Sequence, residues 1–487
     1  MNAKTPTRTP GPARRSLLGS AASPGSIGAP MDAARSAFPN SRADALILLW
    51  EGLDEMPWKA REASSRILCV STLAFAACFA VWTIFSIVGI AIKGELGLNE
   101  TEFGLLIATP ILTGSLIRMP LGIWSDRYGG RLVFVTVMLA SAIATFTLPF
   151  AHTFKTMLLA ALGLGVAGGS FAVGVSYVSR WYPKAKQGTA LGIFGVGNVG
   201  AALTTFLAPF VMVAFGWPMV AEFWAAALAG MAAIFWFTTA DDPVQRTRRA
   251  GGLPAVTLRQ QLAPLANLQV WRFSLYYFFV FGGFVALALW LPRFYIGAYH
   301  LDVKTAGILG AVFLISASLM RAFGGALSDR IGARRVMYWC FGACMLVTFV
   351  LACSATDFVE HGMLGDSRFG FGLGVVPFVA LTFILGIFMP LGSAAVFRHV
   401  VVYYPYHVGP VGGTVGMIGG LGGFVLPIAF GALNDLTGLW TSCFMLLFLI
   451  VTLNLIWMHA AIHRMTRAPA AVTDRSLEQG FGGRATT

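Results

Sequence analysis

Two arginines stand in apolar surroundings where a permanent charge is costly. Arg118 lies in "SLIRMPLG" (115–122) and Arg321 in "SLMRAFGG" (318–325), each inside a long hydrophobic run. A charge at the middle of a bilayer costs about 2.5–3.5 kcal/mol on insertion scales. The first candidate for compensation is a carboxylate, but Glu95, Glu100, Glu102, Asp126, Asp329 and Asp435 all fall at the ends of the apolar runs or between them. The histidines also avoid their middles. Backbone carbonyls, or snorkelling of the side chains to the surface, would be the structural solution. The functional one is an anion from solution. Arginine keeps its proton at working pH and presents a planar fork of donors, which a small planar oxyanion engages bidentately.

The neighbouring residues suit such a guest. "GLGVAGGSFAVG" (163–174) carries Phe171 after a glycine run, and "YYFFVFGGF" (276–284) carries Tyr277 and Phe281 one helical turn apart. Phenyl rings above and below a flat anion would desolvate nitrate and fit tetrahedral sulfate or phosphate poorly. Taken alone, such aromatic pairs are more often packing than site. Glycines cluster in "GIFGVGNVG" (192–200), with Gly192, Gly195 and Gly197, and in "GMIGGLGGF" (416–424), with Gly416, Gly419, Gly420 and Gly422. Small residues let helix backbones approach closely, and a face without side chains also slides or bends without repacking.

The elements that must carry these residues are membrane spans. The chain has 487 residues, 57% hydrophobic and 11% charged, against roughly 25% charged in soluble domains. The net charge of +13 then reads as arginine and lysine in cytoplasmic loops, not as a nucleic-acid surface. Six scattered cysteines show no metal-ligand spacing or disulfide framework, so no metal and no cofactor are expected. Hydropathy gives twelve spans, near 66–92, 101–124, 132–151, 156–179, 188–212, 218–240, 271–293, 304–327, 336–353, 371–397, 410–433 and 439–462. The basic residues of alternate loops place both termini in the cytoplasm.

The expected organisation is a tail over 1–64, a six-helix bundle over 65–240, a linker over 241–270, a second bundle over 271–463 and a tail over 464–487. Residues 1–40, rich in Pro, Ser, Gly and Arg, read as disordered, and no apolar core of signal-peptide length follows the early basic residues. Residues 42–60 read as an interfacial amphipathic helix or a docking segment. The halves repeat one another: "SLIRMPLGIWSDRYGGRLV" (115–133) aligns without gaps to "SLMRAFGGALSDRIGARRV" (318–336). The fold class is therefore an all-α membrane protein of twelve helices in two pseudo-symmetric halves, with the site near the midplane between them.

"GIWSDRYGGRLV" and "GALSDRIGARRV" resemble the signature loop of the major facilitator superfamily. With the two arginines and the two glycine-rich stretches, residues 65–462 resemble the nitrate/nitrite porter family within it. The resemblance implies a site lined by Arg118, Arg321, Phe171, Tyr277, Phe281 and Asn198, with Phe278 or Phe284 as alternatives in register for the span 7 positions. It also implies glycine stretches that pass close to the anion. Asp126, Arg127 and Arg131, with Asp329 and Arg330, are assigned to a cytoplasmic gate whose contacts form when the inside is closed.

The function expected is secondary transport of nitrate and nitrite across the cytoplasmic membrane by alternating access, by a monomer, with lipid and the anion as its partners. Entry of an anion against a negative-inside potential is opposed by about 2.3 kcal/mol per charge per 100 mV. Residues 92–131 look more like the proton–nitrate symport subgroup, which makes the proton the coupling ion. The absence of a mid-span carboxylate or histidine argues instead for exchange of nitrate for nitrite. A porter for another small anion and an anion sensor are the rivals. The lack of any nucleophile–base or paired-carboxylate arrangement speaks against an enzyme.

Overall fold

The computed structural model describes residues 58–182, 184–241, 266–353, 355–362, 365–404 and 408–467. Among them twelve helical spans are long and apolar enough to cross a membrane: Glu62–Leu96, Glu100–Ser125, Gly130–Phe150, Phe154–Ser179, Ala190–Phe215, Trp217–Thr238, Leu268–Tyr299, Val303–Ser328, Ala333–Ala352, Val375–Val400, Val411–Thr437 and Ser442–Arg464. They are called spans 1 to 12 below, and the chain's entry into span 1 marks the near end of the bundle. Each lies within a few residues of its sequence-based expectation. The segment 42–57, most of the expected interfacial helix, lies outside the described residues.

Local chemistry sets where several spans begin. Asn99 and Glu102 form a reciprocal capping box at the start of span 2, and Thr153 and Thr156 do the same for span 4. Asp302 caps span 8, where hydrogen bonds from Thr305 and the backbone of Lys304 hold its carboxyl below the usual range. Glu222 lies one turn inside span 6 at the far end, so carboxylates are excluded from the middle of the spans but not from their last turns.

Buried aromatic and branched side chains fill both halves, and spans 1 and 7 are the most deeply enclosed. One element was not anticipated. The connection from span 9 to span 10, read as a loop, holds an antiparallel hairpin, β1 (Ala355–Gly362) with β2 (Gly365–Gly372), in which Ala355 pairs with Gly372 and Gly362 with Gly365.

Five spans lose α-helical regularity along their length: span 1 breaks between Trp82 and Phe85, and spans 2, 4, 5 and 7 break next to the residues singled out in the sequence. Span 2 resets at Ile117, immediately before Arg118. Pro120 lacks an amide N–H and so cannot bond the Leu116 carbonyl. Span 4 tightens into a 3-10 turn over Gly165–Gly169, just before Phe171, and span 5 does so over Val196–Asn198. Span 7 widens into a π-helix over Phe278–Gly283, between Tyr277 and Phe284. Irregular backbone at membrane depth is tolerated where it is enclosed by protein or lines a cavity, and π segments are frequent at functional sites.

Candidate functional site

The irregular segments converge on the two arginines. Arg118 is buried: its Nη1 donates to the Gly416 carbonyl of span 11 at 2.9 Å, and its Nε donates to the Gly168 carbonyl of span 4 at 3.4 Å. The 3-10 turn of span 4 supplies the second of these acceptors. Arg321, half-buried on the unbroken helix of span 8, donates from Nη2 to the Tyr277 hydroxyl at 3.3 Å. Arg118 does use backbone carbonyls, but every polar partner of either guanidinium among the described residues is a neutral oxygen.

The same two rings serve both cations. The Cζ of Arg118 lies 5.7 Å from the Phe171 centroid and 5.4 Å from that of Phe281. The Cζ of Arg321 lies 5.3 Å from Phe171 and 5.4 Å from Phe281. All four are within cation–π range. Phe171 comes from the first half and Phe281 from the second, as do the arginines. Tyr277 stacks on Phe281 with centroids 4.9 Å apart and planes 9° from parallel, so the i, i+4 pair faces one direction. Phe278 packs against Gly422 of span 11, and Phe284 against Phe281 and Phe313. Neither alternative has a described contact with a guanidinium.

Asn198 sits in the 3-10 turn of span 5, buried, with its Oδ1 unpaired and no hydrogen bond to either arginine. The glycines make contact where the arginines and Tyr277 need room. A Cβ on Gly195 would lie 3.4 Å from Arg321, and one on Gly420 would lie 3.3 Å from Arg118 Nη1. On Gly419 it would fall 2.2 Å from the Tyr277 ring, and on Gly422 it would meet the Phe278 carbonyl at 2.7 Å. Gly416 supplies the carbonyl on Arg118, and Gly197 packs on Phe75. Gly192 faces open space.

Three rings behind the site were not singled out in the sequence. Trp82 of span 1 lies 5.7 Å from Arg118 Cζ and donates to the Pro110 carbonyl at 2.8 Å, with Gly114 and Gly168 packed on its indole. Phe75 and Phe194 support Phe171, at centroid distances of 5.6 and 6.1 Å. Trp82 had one clue: a tryptophan in the middle of a span departs from the interfacial preference of that residue.

The residues assigned to a gate divide. The side chains of Asp126 and Asp329 lie outside the described residues. Arg127 and Arg330 are exposed at the near end, Arg127 over the Tyr128 ring at 5.3 Å. Arg131 donates to the Trp236 carbonyl and lies 4.2 Å over the Trp236 ring, a contact within the first half.

The family model described as Major Facilitator Superfamily matches residues 70–377. A protein named probable nitrate/nitrite antiporter NarK1, from Thermus thermophilus, is 40% identical over 85% of this chain and 95% of its own length. The nitrite extrusion protein of Bacillus subtilis is 30% identical over 78% and 90%, and the probable nitrate/nitrite transporter NarK2 of Mycobacterium tuberculosis is 34% identical over 73% and 86%. Among solved structures, a bacterial homologue of the human lysosomal transporter Spinster aligns with a TM-score of 0.61, 18% identity and coverage of 82% of this chain and 97% of that one, which speaks for the fold alone. The protein is a multi-pass membrane transporter, not an enzyme, and the chain belongs to the nitrate/nitrite porter family of the major facilitator superfamily.

Proposed function

We propose that this protein carries nitrate, and nitrite with it, across the cytoplasmic membrane by alternating access, as a monomer with both termini in the cytoplasm. The observation that carries the reading is the shared setting of the arginines. One cation from each half faces the same two phenyl rings, and no described residue supplies a negative charge to either. A flat anion between the guanidiniums completes their donor forks, and the rings strip it of water. Without an anion the like charges repel. With one, the halves are drawn together, which couples occupancy to closure.

In this scheme Arg118 and Arg321 bind the anion, Phe171 and Phe281 cover it, and Tyr277 orients Arg321. Asn198, buried with an unpaired amide oxygen, lines the site. The near end faces the cytoplasm, where Asp126, Arg127, Arg131, Asp329 and Arg330 make up the gate. The names of the relatives support nitrate and nitrite as the anions.

For the driving force, the resemblance of residues 92–131 to the proton–nitrate symport subgroup supports proton symport. Exchange of nitrate for internal nitrite stands beside it on a specific observation: both arginines rest on neutral oxygens, so the site itself offers no carboxylate to carry a proton. Purified protein in liposomes separates the two. Symport expects nitrate uptake driven by an inward proton gradient without internal anion. Exchange expects uptake only with nitrite or nitrate inside, indifferent to the gradient. No nitrate flux under either condition overturns the assignment.

A further inference from the structure

Within spans, serine and threonine hydroxyls commonly satisfy themselves on the carbonyl one turn back. Thr109 donates to the Leu105 carbonyl at 2.6 Å, Ser274 to Val270 at 2.8 Å and Thr348 to Cys344 at 2.7 Å. Ser318, three residues before Arg321, donates to Leu314 at 2.8 Å. Its counterpart in the first repeat, Ser115, does not. The Ser115 Oγ is fully buried and has no hydrogen-bond partner.

Several other buried hydroxyls share that state, Ser71, Ser86 and Ser141 among them, but Ser115 is set apart by what lies next to it. It stands one turn before Arg118 and so on the same face of span 2. A methyl group placed on Gly420 would touch both, lying 2.5 Å from Ser115 Oγ and 3.3 Å from Arg118 Nη1. The hydroxyl and the guanidinium therefore both pack against Gly420 of span 11. The repeat is symmetric in sequence here and asymmetric in hydrogen bonding: one half keeps a donor in reserve beside its arginine.

We propose that Ser115 is a specificity-determining residue whose hydroxyl donates to an oxygen of the bound anion and favours nitrate over nitrite. This rests on the reading that the arginine pair holds these anions. Nitrate has three equivalent oxygens in a plane, and nitrite has two. Two guanidinium forks engage the oxygens available in either, and the additional oxygen of nitrate gives the Ser115 hydroxyl an acceptor that nitrite lacks. A buried donor left unpaired is penalised, so filling it discriminates between ligands that do and do not reach it.

The test is calorimetric binding of nitrate and of nitrite to the purified full chain in detergent, comparing wild type with Ser115→Ala, Ser115→Cys and Ser318→Ala. Ser115→Ala is expected to raise the nitrate Kd about tenfold and to leave the nitrite Kd within about twofold. Ser115→Cys, which keeps the volume with a weak donor, should follow Ser115→Ala. Ser318→Ala should match wild type. An unchanged nitrate Kd, or an equal loss for both anions, overturns the role of Ser115 while leaving the transport reading in place. Wild type that binds neither anion removes both.

Discussion

At the scale of the residue, the arginine pair tests whether charge or shape matters. Lysine keeps the charge but loses the planar fork, and it is a strongly hydrated point charge. Arg118→Lys would also give up the geometry that reaches both the Gly416 and the Gly168 carbonyls. Hydrogen bonds to charged groups contribute about 1.5–3 kcal/mol each, so Arg118→Lys and Arg321→Lys should each lower nitrate uptake in liposomes more than tenfold. Uptake at wild-type rates in either variant contradicts bidentate binding. Phe171→Ala removes a ring from both cations at once and should weaken nitrate binding about five- to tenfold, given cation–π contributions of about 0.5–2 kcal/mol. Unchanged affinity, with the variant still folded by circular dichroism, takes Phe171 out of the site. The arginines were legible in the sequence because an unpaired charge in an apolar run is rare. Phe171, Tyr277 and Phe281 stood out by spacing and by a neighbouring glycine run, but rings inside spans are mostly packing, and it was the family resemblance that weighed them towards the site. Ser115 was visible as a letter in the repeated motif, but its missing partner depends on tertiary contacts that spacing does not encode.

At the scale of the element, the twelve spans were legible because a bilayer imposes length and apolarity on any helix that crosses it. Their internal breaks were less so. Pro120 and the Gly165–Gly169 run announce the irregularities of spans 2 and 4, but the π segment of span 7 carries no breaker except Gly282 and Gly283. The hairpin Ala355–Gly372 was missed because charged residues and glycines dilute its short strands. The glycine-rich stretches, treated alike in the sequence, differ in the structure. Gly419 faces the Tyr277 ring so closely that a methyl group would fall 2.2 Å from it, whereas Gly192 meets nothing within 4 Å. Gly419→Ala should therefore displace Tyr277, weaken its contact with Arg321 and cut transport severalfold, an overpacking effect of about 1–3 kcal/mol. Gly192→Ala should transport like wild type. Equal rates in the two variants would show that span 11 moves aside at little cost.

At the scale of the whole molecule, the alternating access proposed above demands that the seam closed in this structure be able to part, and the far end shows what holds it. Glu100 of span 2 is gripped by Arg293 of span 7, through Nε at 3.3 Å and through Nη2, with Lys93 at 3.6 Å. Asp435 of span 11 accepts from the backbone of Glu100 and Thr101 at 3.1 and 2.8 Å, capping the opposite half's helix. Beneath these bonds Gly104 and Gly307 let backbones of the two halves meet, against Pro427 and Thr205. A partly buried pair of this kind lies between the roughly 1 kcal/mol of an exposed ion pair and the roughly 3–5 kcal/mol lost on breaking a buried one. That range is enough to shift the balance between two conformations severalfold without unfolding either. Glu100→Gln keeps the shape and removes the charge, so it should favour opening of the far end. Ala108 reports this: it is fully buried, one turn below Gly104 and so on the face turned to span 11. In a background with Cys353 replaced by Ser, Ala108→Cys should react slowly with a membrane-impermeant maleimide added outside, and severalfold faster when Glu100→Gln is also present. Saturating nitrate, by drawing the halves together at the arginines, should slow the reaction in both. A labelling rate indifferent to Glu100→Gln would mean that the glycine contacts alone hold the seam, and that the ion pair is incidental to the cycle.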